Sequence, residues 1–284
     1  MLKIENVVTP SPEQWEAVVR GVRNPMNSWR LSDSYEAYDC GACGEIEREG
    51  SCEPQKHDCE KFRCFSIGPA DGKLMAKLRD AGSDHAKYRR MIPVIFDVIA
   101  PLYWWKEMDT YKVGTVANSC STMHKIHEKE FTLDDFSHEY LDNDETCCEF
   151  EHADPFETDL FTSLDILKLK IKALNYWRGR YNETKDKHAW YQMIQLLDSS
   201  YNQRRTISLN YEVLANIYHA RKGHRLDEWH VFCDWIETLP ESWIIIGDTE
   251  DHRVNKLYEF KRIGLSSMEK PVDGPNPNLM DDGK

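Results

Sequence analysis

The sequence predicts a protein that mixes helices and strands, on three observations. Residues 92–99 (IPVIFDVI) are a β-branched apolar run of strand length, closed by Ala100-Pro101. Residues 203–209 alternate, with Ile207 and Leu209 on one side, as a half-buried strand does. Around these runs lie segments with apolar residues at helical spacing, among them Leu164, Leu167, Ile171 and Leu174. The 284 residues include 9 Trp, 13 Tyr and 10 Phe, which suits a packed core and excludes an intrinsically disordered chain.

The elements follow in chain order. Residues 4–30 open with a short apolar run and continue as a helix with Trp15, Val18 and Val19 on one face. A Cys-rich stretch, 35–66, then interrupts, and Gly68-Pro69 closes it. Residues 71–81 (DGKLMAKLRDA) form a short amphipathic helix, with Leu74, Met75 and Leu78 at helical spacing and Gly82 at its end. After the 92–99 strand, LYWWKEMDTYK reads as a helix and VGTVANSCST as a loop of small polar residues, backbone that can approach a ligand closely. Residues 128–160 read as a solvated insertion with one short helical turn. Thr162-x-x-Asp165 opens a long helix by a capping-box pattern, running to about Tyr181. Further helices cover 189–197, 211–221 and a segment through Leu226, Trp229, Cys233 and Ile236 that stops near Pro240. From Ser266 the chain is rich in Pro, Gly and Asp, and 266–284 is expected to be a disordered tail.

Charge is unevenly spread. The chain has 36 Lys+Arg against 49 Asp+Glu, a net −13. Residues 128–160 hold 13 acidic residues and one Lys, which leaves 35 Lys+Arg against 36 Asp+Glu elsewhere. The body is therefore no electrostatic obstacle to a nucleotide anion. The acidic total argues against a duplex nucleic acid partner, which needs a basic face. The acidic insertion is either a solubilising loop or a docking surface for a basic protein partner. No run reaches the roughly 18 apolar residues of a membrane span. MLKIENVVTPSPEQWE has no basic stretch followed by an apolar one, so a reducing, cytoplasmic compartment is expected.

Nine cysteines is an odd number, and disulfides are not expected. Cys40, Cys43, Cys52, Cys59 and Cys64 fall within 25 residues, with His57 among them. Cys40-x2-Cys43 has the spacing of half a zinc knuckle, while the later spacings are irregular. The segment is either a site for zinc or another thiolate-bound metal, or an insertion with free thiols. Cys120, Cys147, Cys148 and Cys233 have no metal spacing among themselves.

Generic motifs are absent: there is no Walker loop, G-x-G-x-x-G, H-E-x-x-H or G-x-S-x-G. Two polar clusters remain. One runs from His85 to His124, with Lys112, Thr115, Asn118, Ser119 and Ser121 after the aromatic helix. Hydroxyls, an amide and backbone N–H groups beside a Lys suit a phosphate or ribose, and equally an ordinary connecting loop. The other is LNYEVLANIYHARKGHRLDEW, where Asn210, Asn216 and Arg221 share one broad side of a helix. Arg221 can clamp a carbonyl or phosphate with two parallel hydrogen bonds, or be a surface Arg with helix-capping Asn neighbours.

Together the two clusters resemble the flavin-dependent thymidylate synthases. In that family a helix, a Gly and a His precede a strand and an Ala-Pro step; a helix and the signature R-H-R-x-x-S-x-x-x-x-S-x-R follow. DGKLMAKLRDAGSDHAKYRRMIPVIFDVIAPLYWWKEMDTYKVGTVANSCSTMH has that layout, and LLDSSYNQRRTISLNYEVLANIYHARKGHRLDEW is similar to the later family segment. The similarity covers about 71–125 and 190–237. It implies an α+β fold, with helices packed on a central antiparallel sheet in one domain over 1–265. The implied activity is FAD-mediated transfer of a one-carbon unit to dUMP or a related pyrimidine nucleotide, with NADPH and methylenetetrahydrofolate as co-substrates, in a homotetramer.

By resemblance His85, Lys112, Thr115, Asn210, Asn216 and His224 contact the flavin. Asn118, Ser119, Cys120, Ser121 and Arg221 contact the nucleotide, with Arg221 and Lys112 polarising the pyrimidine. The chain departs from the family pattern at Thr110-Tyr111, Cys120, Thr122, Ile194 and Glu212, where the family has Arg-His, Ser, Arg, Arg and Arg. Each lost charge-assisted contact is worth about 1.5–3 kcal/mol. Lys106, Lys125, Arg204 and Arg205 are the cations placed to compensate. A second reading is a catalytically inactive member of the fold, acting as a binding or regulatory protein through one of its insertions.

Overall fold

A computed structural model of the chain describes residues 2–40, 46–47, 61–151 and 158–247. The elements are β1 (Lys3–Val8), α1 (Pro12–Arg23), β2 (Tyr35–Cys40), β3 (Ile46–Glu47), β4 (Lys61–Ser66), α2 (Pro69–Asp80), β5 (Pro93–Pro101), α3 (Leu102–Met108) and β6 (Val116–Ser119). There follow β7 (Thr146–Glu151), β8 (Thr158–Thr162), α4 (Ser163–Thr184), α5 (Lys187–Leu196), β9 (Asn202–Asn210), α6 (Tyr211–Arg221), α7 (Asp227–Glu237) and α8 (Trp243–Ile246). A 3-10 turn over Ala86–Met91 leads into β5.

The central sheet has the order β1-β5-β9-β6, every neighbouring pair antiparallel. The two strongest strand patterns make its middle. β5 and β9 pair along their whole length, from Pro93 opposite Asn210 to Pro101 opposite Asn202. Val94, Phe96, Val98 and Ala100 point to one face with Ile207 and Leu209, all buried. Helices cover that face. Trp104 and Trp105 of α3, Leu214 and Ile217 of α6, and Trp229, Phe232 and Ile236 of α7 join the strand residues in one core. The expected arrangement of helices on an antiparallel sheet is what the described residues adopt. On the other face Asp97 takes hydrogen bonds from Asn6, Arg204 and Thr206.

A second core differs from expectation. Residues 128–160 are not solvated throughout. Phe131 and Phe136 are buried with Ile126 against Leu167 and Leu174 of α4 and Met193 of α5. The reason is visible in retrospect: Phe131, Leu133 and Phe136 stand among the acids at spacings one short turn can bring to one side. The turn Leu133–Asp135 is that structure, closed by a reciprocal Thr132/Asp135 cap. The later half forms the β7–β8 hairpin, whose Phe150 and Leu160 face solvent. Thr162 and Asp165 make the capping box that their spacing predicted.

Two other segments gained strands. VGTVANSCST contains β6, an edge strand exposed at every position, so no alternation of burial marked it in the sequence. The ends of the Cys-rich stretch form β2 and β4, paired antiparallel. Cys43, Cys52, Cys59 and His57 lie outside the described residues, as does the expected tail 266–284. Cys40 ends β2 opposite Lys61, and Cys64 lies in β4 opposite Ala37. Among the described residues no group of three or more His, Cys, Asp or Glu side chains is placed to hold a metal, and no helix is long and apolar enough to cross a membrane.

Asp71 locks the N-terminal helices to this frame. Its buried carboxylate accepts from Arg23 Nε (2.6 Å), the Ser32 and Ser34 hydroxyls (2.7 Å each) and the backbone N–H groups of Asp33 and Ser34 (3.0 Å each). Burial alone would raise its pKa. The hydroxyls of Ser34 and Ser32, with Arg23, outweigh burial and hold it at about 2.

Candidate functional site

The best-defined polar cluster sits where α6 turns into α7, facing the end of α3. α6 starts at Asn210, whose Oδ1 caps the N–H groups of Glu212 (3.1 Å) and Val213 (3.2 Å). Its apolar face packs into the main core, and the helix ends at Arg221. The turn then brings back His224, whose N–H donates to Arg221 O (3.0 Å). His224 Nδ1 accepts from Leu226 N (3.2 Å), which places the ring proton on Nε2.

Glu107 collects the donors of this turn. Its Oε2 accepts from Arg221 Nη1 at 2.7 Å, from Trp229 Nε1 at 2.9 Å and lies 3.3 Å from His224 Nε2. Arg221 Nε donates to the Tyr111 hydroxyl at 2.9 Å. The guanidinium carbon is 4.8 Å from the centroid of the buried Trp229 ring and 5.6 Å from that of Tyr111. Arg221 is thus held by a carboxylate, a phenol and two ring faces. Its Nη2 amine makes no hydrogen bond among the described residues, and it remains a planar pair of donors for a carbonyl or oxyanion. The guanidinium charge is offset by Glu107, so the cluster suits a neutral polar group better than a dianion.

A second group of polar atoms lies at the other end of α6. The turn Lys112–Thr115 has Gly114 at φ +81°, and a Cβ there would come within 3.2 Å of Asn210 Nδ2 and Val213 Cγ2. The neighbouring Thr115 Oγ1 is buried without a hydrogen-bond partner. The same is true of Arg89 Nε and Glu212 Oε2, whose side chains lie 3.6 Å apart as an ion pair. His85 is exposed at the start of the Ala86–Met91 turn that carries Arg89.

The expected site residues thus separate. Arg221 and His224 are together; Asn210 lies at the other end of α6, about 16 Å along the helix at 1.5 Å per residue, with Gly114 of the Lys112–Thr115 turn packed against it, while Lys112 itself directly follows Tyr111, the partner of Arg221. Asn216 is exposed between them. Asn118 and Ser119 are exposed on β6, and Cys120 N donates to Arg204 O. Ser121 Oγ caps His124 N at 3.0 Å. Of the cations placed to compensate for the lost arginines, Arg204 pairs with Asp97 and Glu5, Arg205 with Asp109, and Lys125 with Glu128. Thr110, at a lost Arg, caps α3 through its bond to Glu107 O. Sequence reasoning missed Glu107, Tyr111 and Trp229 as partners of Arg221. The signal available was a lone carboxylate two residues beyond two consecutive tryptophans in a buried helix.

No protein-family model matches the sequence, and no curated protein does. Solved structures resemble the fold. Thymidylate synthase X (ThyX) from Helicobacter pylori with FAD and dUMP superposes with a TM-score of 0.54 at 12% identity, covering 87% of this chain and 97% of that one. The flavin-dependent thymidylate synthase ThyX of the same organism, complexed with FAD and dUMP, gives a TM-score of 0.52 at 13% identity, over 88% and 99%. A UMP/dUMP methylase, PolB from Streptomyces cacaoi, superposes less closely, with a TM-score of 0.46. The chain therefore has a fold like that of the flavin-dependent thymidylate synthases.

Proposed function

We propose that the chain is a flavin-dependent methyltransferase acting on a pyrimidine nucleotide, dUMP or a close relative. The observation that carries this is Arg221, fixed by Glu107, Tyr111 and Trp229 with its Nη2 donors free, in a fold like that of proteins solved with FAD and dUMP. Because Glu107 offsets its charge, Arg221 recognises the neutral pyrimidine ring through a carbonyl oxygen rather than the phosphate. Holding the guanidinium in advance lowers the entropy lost on binding.

The flavin fits the other end of α6. Thr115 Oγ1 is buried and unpartnered, and at Gly114 the backbone packs so closely on Asn210 and Val213 that a Cβ would crowd both at 3.2 Å. Asn210, Thr115 and Lys112 would hold the cofactor there, with His85, Asn216 and His224 at its margins. A bound flavin supplies hydride transfer; NADPH and methylenetetrahydrofolate are its proposed co-substrates. The proposed assembly is a homotetramer in a cytoplasmic setting.

The test is thermal unfolding of the purified chain with and without FAD and dUMP, together with its visible flavin absorption. Ligand at a hundred times its Kd stabilises by about 2.7 kcal/mol, a rise of several degrees. Arg221→Ala is expected to remove the dUMP shift and leave the FAD shift. A colourless protein that neither ligand stabilises overturns the proposal.

That outcome would favour the second reading, a binding or regulatory protein on this fold. One observation supports it: Arg204, Arg205 and Lys125 are all paired to carboxylates, so the charge of the missing signature arginines is not replaced from these positions.

A further inference from the structure

A cavity of about 240 Å³ opens beside the second core, lined by Met123, His124, Tyr181, Lys185, Lys187 and Trp190. It shares no residue with the Glu107–Arg221 cluster or with the Asn210 end of α6. Three pieces of chain build it: the segment after β6, the last turn of α4 and the first turns of α5.

Its rim is cationic in a chain of net −13. α4 ends at Lys185 in the left-handed conformation (φ 56°), and the sharp turn puts Lys185 and Lys187 at the same opening. Among the described residues neither ammonium has a carboxylate within ion-pairing distance. Lys185 Nζ lies instead 5.2 Å from the Tyr181 ring centroid, and Lys187 Nζ 5.4 Å from that of Tyr191. Asp186, between them, caps α5 by accepting from His188 N at 3.0 Å, and the three residues together carry a net +1. Lys125, Lys129, Lys168 and Lys170 have carboxylate partners; what sets Lys185 and Lys187 apart from other unpaired lysines is that both line one cavity beside two aromatic rings.

The walls are aromatic and held in place. Trp190 Nε1 donates to Met123 O at 2.9 Å, fixing the indole across the cavity. Tyr181 is braced edge-on by His127, ring centroids 4.9 Å apart. A planar ring can lie against such faces whatever its substituents, since base–aromatic stacking depends little on base identity. The volume falls below the roughly 300–1,000 Å³ of clefts for drug-sized ligands. It therefore admits one ring and one anionic group, not a dinucleotide.

We propose that this cavity is a second ligand site, taking a nucleoside monophosphate: the phosphate between Lys185 and Lys187, the base against Trp190 and Tyr181. The site does not depend on the function proposed for Arg221, and the test keeps the two apart.

The test is calorimetric titration of the full chain with adenosine 5′-monophosphate, with adenosine and inorganic phosphate as separate arms. AMP should bind at least tenfold more tightly than either fragment, and more weakly as salt rises. Uridine 5′-monophosphate should bind within a few-fold of AMP in the Arg221→Ala variant. The double variant Lys185→Ala/Lys187→Ala should lose at least tenfold in AMP affinity. Both lysines are exposed, so its thermal midpoint should stay at the parent value. Lys185→Arg/Lys187→Arg, which restores the charge, should recover binding. The proposal is overturned if AMP does not bind, if the Ala double variant binds it as well as the parent does, or if phosphate alone binds equally well.

Discussion

Glu107 decides what Arg221 can do. One carboxylate oxygen serves a guanidinium, an indole and an imidazole at once, and the indole belongs to a fully buried ring. Glu107→Ala strands the Trp229 N–H and should cost about 1–3 kcal/mol, read as a lower urea midpoint. Glu107→Gln keeps an acceptor and should cost less, while leaving the Arg221 charge uncompensated. A phosphate-bearing ligand should then gain at Arg221 relative to its parent nucleoside; an unchanged ratio of the two affinities would mean that Glu107 does not set the charge of the site. Arg221 and His224 were legible in the sequence because they stand in one short run, N-x4-R-x2-H, on and just past a helix. Glu107 was not, because it is 114 positions from Arg221 and no local spacing links them. Tyr111 was read only as a lost signature His, although its phenol binds Arg221.

The elements were legible where burial is periodic. β5 and β9 alternate or run apolar because one face of each lies in the core, and α1, α4, α6 and α7 carry apolar stripes for the same reason. β6 (Val-Ala-Asn-Ser) is exposed at every position, so its sequence shows no alternation of apolar and polar residues, and its strand exists through pairing to β9. The acidic segment misled because charge count outweighed three apolar residues. Phe136→Ala should accordingly cost about 3–5 kcal/mol, as for a core aromatic, where a solvated loop would lose almost nothing. The Asp71 network ties α1 and α2 together through a carboxylate that polar spacing alone did not mark. Its folded pKa of about 2 lies below the ordinary 3.8. A depressed carboxylate stabilises fully above its unfolded pKa and loses that contribution as pH falls through the folded one. About 2 kcal/mol present at neutral pH should vanish between roughly pH 4 and pH 2. Urea titrations across that window should show the slope in the parent and its absence in Asp71→Asn.

At the scale of the whole molecule, charge and packing divide along different lines. Residues 128–160 carry nearly all the net charge, yet their first half is core and only the second half is a solvent-facing hairpin. The hairpin can be removed without touching either core, because Thr146 and Thr162 are cross-strand partners. Replacing 147–161 by Asn-Gly closes the gap with a two-residue turn. It deletes Glu149, Glu151, Asp154, Glu157 and Asp159, taking the chain from −13 to −8. The thermal midpoint should move by no more than a few degrees, since Cys147, Cys148, Glu149, Phe150, Asp159 and Leu160 are all exposed. Ligand binding should respond only through the long-range field. At about 0.01 M ionic strength the screening length is near 30 Å, and the deletion should strengthen binding of an anion such as AMP or dUMP severalfold. At 0.15 M it is about 8 Å, and the two proteins should bind alike. A gain that persists at 0.15 M would mean that the hairpin touches a site directly, and a large fall in midpoint would mean that it is part of the core.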